Sequence, residues 1–132
     1  MNARVRTSSS DPLRIAEVAV GRGMVGVSFC PGKQAPASDG SRWERVLEAD
    51  LEAVAQFGAR MVVSLLEPHE YALLGVEGLS GAVRAKGLAW AGLPIADGGV
   101  PDLDWELGWA WTGRRVRERL RRGERVFVHC RG

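Results

Sequence analysis

The sequence predicts a single α/β domain of three layers, with a central, mostly parallel sheet flanked by helices. Three observations predict it. Apolar runs of strand length alternate with segments of helical period in the order strand, helix, strand, helices, strand, helix, strand, the signature of parallel strands joined by helical crossovers. Met61-Val62-Val63-Ser64-Leu65-Leu66 is apolar almost throughout, as a strand covered on both faces must be. The chain has 132 residues, 45% hydrophobic and 26% charged, which is ordinary globular composition and enough for one core.

Taken in order, residues 1–13 read as a flexible N-terminal arm, because Met1 to Pro12 is rich in Ser, Arg and Asn and has no apolar run; the domain proper is residues 14–132. Nothing in that arm resembles a secretory signal or a membrane span. Arg14 to Val20 and Met24 to Phe29 alternate and flank Gly21-Arg22-Gly23, which predicts an edge hairpin. Cys30-Pro31-Gly32-Lys33 closes its second strand, and Gln34 to Gly40 reads as loop. Ser41 with Glu44 has the spacing of a capping box, so a helix is expected from there through Val46, Leu47, Leu51, Val54 and Phe57 to Gly58. After the Met61 to Leu66 strand, Pro68 opens a short helix to Leu74, and Leu79 to Lys86 forms another. Leu88 to Ile95 is a strand. Trp105 to Arg122 is a helix capped by Asp102 or Asp104 and stopped at Gly123, and Val126 to Val128 is the last strand.

Charge and cysteines limit the functional classes. The formal net charge is +2, but Gly113 to Arg125 holds seven Arg and two Glu, and the remaining 11 basic and 14 acidic residues leave the rest of the chain at −3. Cations at the C-terminal end of a helix are favourable in themselves, so this basic segment does not call for nucleic acid as a partner; docking of an acidic or phosphorylated protein is the more modest reading. Trp105, Trp109 and Trp111 are expected to pack rather than stack on a ligand. Two cysteines, Cys30 and Cys130, stand a hundred residues apart with no Cys-x-x-Cys, which argues against zinc and against a disulfide framework and places the chain in a reducing cytoplasm.

In parallel α/β sheets, ligands bind beyond the carboxyl ends of the strands. Cys130 stands at one such end and Asp97 just past another, so both belong to one rim. A cysteine attacks as thiolate, and a loop of backbone amides leading into a helix favours that anion and binds phosphate by the same means. Breaking a phosphate ester also requires an acid for the departing oxygen, and Asp97 in the Gly-rich stretch Pro94-Ile95-Ala96-Asp97-Gly98-Gly99-Val100-Pro101-Asp102 has that setting, with Asp102 as its rival. Cys30 reads as a packed residue before a turn, with a redox partnership to Cys130 as the alternative. His69 is assigned no chemistry.

At these residues the sequence resembles the cysteine-dependent tyrosine and dual-specificity protein phosphatases, in particular the kinase-associated (cyclin-dependent kinase inhibitor 3-like) branch and its bacterial relatives. Val128-His129-Cys130-Arg131-Gly132 is similar to the start of the phosphate loop His-Cys-x-x-Gly-x-x-Arg, and Pro94 to Asp102 to that branch's general-acid loop. Phe29 to Lys33 and Met61 to Glu70 also resemble the branch. The resemblance implies a protein-phosphatase-like fold, Cys130 as the nucleophile that becomes phosphocysteine, and Asp97 as the general acid. It implies that His129 supports the cysteine, that the amides of Arg131 and Gly132 begin the phosphate cradle, and that no metal or organic cofactor takes part. The substrate it implies is a phosphorylated protein or another phosphomonoester.

The family's loop arginine, six positions beyond the cysteine, has no counterpart in these 132 residues, nor have the hydroxyl residue and helix that follow it. On this reading the chain is a fragment lacking the C-terminal helices and inactive as it stands, with apolar surface left open to self-association. Two alternatives use the same cysteine: a rhodanese-like sulfur transferase, which has no use for Asp97 as a proton donor, and a non-catalytic phosphate-binding or protein-interaction module.

Overall fold

The computed structural model describes residues 4–95 and 103–132. Its strands and helices are, in chain order, β1 (Val5–Arg6), β2 (Ala16–Val20), β3 (Gly23–Ser28), β4 (Gln34–Pro36), β5 (Arg42–Glu44), α1 (Leu47–Phe57), β6 (Ala59–Ser64), α2 (Pro68–Leu73), α3 (Leu79–Ala85), β7 (Ala89–Gly92), α4 (Leu103–Arg121) and β8 (Arg125–His129). The main sheet has the order β2-β3-β8-β6-β7, antiparallel only at the β2–β3 hairpin. The last strand in sequence therefore lies in the middle of the sheet. Ser28 of β3 and Ser64 of β6 both register with His129, which fixes the height at which Cys130 leaves the sheet.

Alternation along the central strands divides the core between the two faces. Val62 and Phe127 pack with Leu51, Val54, Leu79 and Val83 from α1 and α3. Met61, Val63 and Val126 face the other way, onto Val116 and Leu120 of α4. These are the three layers expected from sequence. Gly58 ends α1 with φ +92° and Gly123 follows α4 with φ +81°, left-handed conformations in which a side chain would be strained.

The N-terminal third departs from expectation. Residues read as a loose arm are tied down: β1 pairs in parallel with β5, and the Thr7 carbonyl accepts a hydrogen bond from Arg45. Part of the presumed loop is strand as well, since β4 pairs antiparallel with β5 in a small three-stranded sheet. The capping-box reading of Ser41 and Glu44 fails because Asp39 takes the serine: its carboxylate accepts from both the Ser41 hydroxyl and, at 3.0 Å, the Ser41 amide. The helix starts at Leu47 instead, with the Ser8 hydroxyl accepting from the Val46 amide at 2.9 Å.

A fully buried ion pair joins this region to the main sheet. The Arg45 guanidinium donates to both Asp50 carboxylate oxygens, at 2.8 and 3.0 Å, and Asp50 also accepts from the Gly32 amide at 2.8 Å. The turn after β3, the start of α1 and the small sheet are thus held by one carboxylate.

The face under α4 is less complete. Among the described residues α4 is the only helix against it, and an apolar groove of about 330 Å³ runs between Val63 and Val128 of the sheet, Leu93 just after β7, and Trp109 and Leu120 of the helix. Leu103, Leu107 and Trp111 are exposed, so the expectation that Trp111 packs is not met. The basic end of α4 is partly neutralised by local pairs, Arg122 with Glu118 and Arg119 with Glu124. No described helix is long and apolar enough to cross a membrane.

Candidate active site

Cys130 lies immediately after the central strand β8, exposed, with a free thiol. The side chain before it is the opposite: His129 is completely buried, and burial lowers its pKa to about 4. The imidazole is therefore neutral at pH 7, and its neighbours determine which nitrogen holds the proton. Nδ1 lies 3.1 Å from the Cys130 carbonyl oxygen, which can only accept, so Nδ1 is the donor. Nε2 must then accept, and the Ser64 hydroxyl donates to it at 2.7 Å. Trp90 Nε1 in turn donates to Ser64 Oγ at 2.9 Å. One directional chain runs Trp90, Ser64, His129, Cys130 carbonyl, through three strands of the sheet.

The two residues after Cys130 are held from other directions. Arg131 pairs at 3.6 Å with Glu70, whose carboxyl is almost wholly buried. Glu70 is the third residue of α2, and its other oxygen accepts from the Glu67 amide at 2.9 Å, so a capping box aims the carboxylate that meets Arg131. Lys33 donates to the Gly132 carbonyl at 3.2 Å. Gly132 has φ +76°, and a Cβ there would stand 2.4 Å from Cβ of Phe29, which only glycine avoids.

Beside this loop opens a polar recess of about 560 Å³, lined by Arg6, Lys33, Asp39, Trp43, Arg131 and Gly132 among others. Arg6 and Lys33 lie over the Trp43 ring, 5.0 and 5.3 Å from its centroid. Asp39, hydrogen-bonded by Ser41 and near Arg6, is held below the usual carboxylate range and also pairs with Arg6.

Of the residues singled out from sequence, Cys130, His129, Arg131 and Gly132 occupy one rim of the sheet. Asp97 and its rival Asp102 lie outside the described residues. Cys30 is buried in the core with Leu66, Leu74 and Val76, and its thiol is pushed up to about 12, chiefly by burial. His69 is exposed, 3.9 Å from Glu67. Sequence reasoning missed Ser64, Trp90, Glu70 and Lys33. Glu70 left a trace, since Glu67-Pro68-His69-Glu70 has the spacing of a capping box; the others become visible only once β3, β6, β7 and β8 are aligned.

No family model matches the sequence, and no curated protein matches it significantly. Comparison with solved structures is more informative: the fold is that of the cysteine-dependent tyrosine and dual-specificity protein phosphatases. Kinase associated phosphatase (KAP), solved with its catalytic-site cysteine replaced by serine, superposes with a TM-score of 0.78 at 20% identity over 92% of this chain. The active form of Tk-PTP matches with a TM-score of 0.58 at 25% identity, and its glycine-to-alanine mutant form with 0.53 at 23%, each over 87% of this chain. The chain spans 66% of the KAP chain and 60% of each Tk-PTP chain.

Proposed function

We propose that this chain carries the nucleophile of a cysteine-dependent phosphomonoesterase acting on phosphorylated Ser, Thr or Tyr side chains of proteins. The observation behind this reading is the setting of Cys130: an exposed thiol at the carboxyl end of the central strand, with its own carbonyl and the two following residues held by His129, Glu70 and Lys33. A rigid loop start with a free sulfur suits in-line attack on a bound phosphate.

In the reaction proposed, the Cys130 thiolate attacks phosphorus and the phosphorus–oxygen ester bond breaks. Asp97 gives its proton to the departing oxygen. The resulting phosphocysteine is then attacked by water, which yields its proton to the Asp97 carboxylate and releases phosphate and thiolate. His129 stays neutral throughout and acts by orienting the Cys130 carbonyl. A reducing cytoplasm would keep the sulfur available.

Alkylation of Cys130, followed by mass spectrometry with and without vanadate, tests the reading. Vanadate should protect Cys130, while buried Cys30 stays unlabelled in both cases. Unprotected alkylation, or a persulfide formed on Cys130 from thiosulfate, would overturn the proposal. Turnover of a small aryl phosphate that Cys130→Ser abolishes would support Cys130 as the nucleophile.

A further inference from the structure

We propose that β2, an edge of the main sheet, takes an added strand from a partner protein: an extended segment with alternating apolar residues and carboxylates at its N-terminal end. Among the described residues β2 pairs with β3 alone. Along an edge strand, alternate residues turn their N–H and C=O groups outward, where another chain can complete the ladder. The devices that commonly prevent this are missing from Ala16–Val20. The strand contains neither Pro nor Lys, and its register with β3 runs from Ala16↔Val27 to Val20↔Gly23 without a bulge. Its one charge, Glu17, is engaged with Arg125 at 3.2 Å.

Side chains favour an apolar alternation in the added strand. Val18 and Val20 are exposed, and Val18 stands opposite Val25, which packs on the cluster of Met61, Val63, Val116 and Leu120. Val18 and Val20 therefore lie on the α4 side of the sheet, and every second residue of a sixth strand would lie beside them.

The end of β2 sets the partner's charge. Val20, Gly21 and Arg22 meet Arg117, Leu120 and Arg121 of α4 around an apolar pocket of about 360 Å³. Arg119 and Arg122, on the same end of the helix, are neutralised by Glu124 and Glu118, whereas Arg22, Arg117 and Arg121 have no carboxylate partner among the described residues. An apolar floor rimmed by three unneutralised guanidiniums complements an apolar side chain flanked by carboxylates. Antiparallel pairing is the more stable per residue, and it lays the N-terminal end of the added strand beside Val20 and this pocket. Met24 registers with Arg125 and Ser28 with His129, so the pocket lies at the opposite end of the sheet from Cys130, about 17 Å along β8, and its occupant leaves the thiol open.

The probe is a fluorescein-labelled peptide, Glu-Asp-Leu-Thr-Val-Thr-Val-Thr, titrated into the 132-residue chain and followed by anisotropy, with the backbone amide resonances of residues 16–20 as a second readout. Saturable binding should shift those amides. Replacing Glu and Asp by Gln and Asn should weaken it about tenfold, and moving the two acids to the C-terminal end by about threefold or more. Arg117 and Arg121 are exposed, so Arg117→Gln and Arg121→Gln leave the fold intact; each should weaken the acidic peptide about threefold and the amide peptide less than about twofold. Peptide N-methylation separates strand addition from simple anion binding. Methyl groups on the nitrogens facing β2 block the ladder, while those on the alternate set point to solvent, so one series should lose about tenfold or more and its complement less than about threefold. Absence of saturable binding, equal responses to the two methylation series, or protection of Cys130 from alkylation by the peptide would each overturn the proposal. So would amide shifts at residues 16–20 that follow protein concentration without peptide, together with a dimer in sedimentation velocity that the peptide does not dissociate; that result would assign the edge to a second copy of the chain.

Discussion

Lowering the pH from 7 to 5 should destabilise this fold through His129. The imidazole has a pKa of about 4 in the folded chain against 6.5 in the reference state, so between those values the unfolded chain binds the extra proton. A depressed histidine contributes stability above the unfolded pKa and loses it as pH falls toward the folded one. Integrating the linkage gives a loss of about 2 kcal/mol at pH 5 relative to pH 7, and about 3 at pH 4. With a urea slope near 2 kcal/mol/M for a domain of this size, the unfolding midpoint should move down by about 1 M between pH 7 and 5. The measurement is a set of urea curves at pH 7, 6 and 5 for the unmodified chain and for His129→Gln. The variant starts less stable, because Ser64 and the Cys130 carbonyl lose their buried partner, but its midpoint should be nearly flat with pH. A flat midpoint in the unmodified chain, or the same slope in both, would refute the assignment of a neutral, buried imidazole.

Two further outcomes follow from packing and charge. Asp50→Asn leaves the buried Arg45 guanidinium without its counter-charge and should cost about 3–5 kcal/mol, read from urea denaturation at pH 7; a loss below about 1 kcal/mol would mean the pair is solvated. Leu107→Glu with Trp111→Ser should lower self-association without lowering the thermal midpoint, since both side chains are exposed on α4, and sedimentation velocity at several concentrations would detect it.

Periodicity sufficed where burial dictates residue type. Met61 to Val63 had to be apolar on both faces because β6 lies between β8 and β7 and under helices on both sides, and that double covering is written in the sequence. It did not suffice where side chains compete for the same partner. Ser41 and Glu44 have capping-box spacing, but Asp39, two residues earlier, captures the serine, and the stretch becomes strand. β1 has only two residues and no apolar pattern; its place depends on a partner strand 37 positions away. The site divides similarly. Cys130 and His129 stand out locally, whereas Ser64 and Trp90 join them only through register across the sheet.

That β8 closes the sheet has a consequence for how the chain folds. Its neighbours β3 and β6 are made first, but neither has its inner partner until residues 125–129 slot between them. Until then two apolar strand edges face a gap, open to wrong pairings. Contacts between β3 and β8 span about a hundred residues, and such long-range pairings slow folding. The strand that leads into Cys130 is therefore the keystone of assembly, and the cysteine reaches its place only as the gap closes.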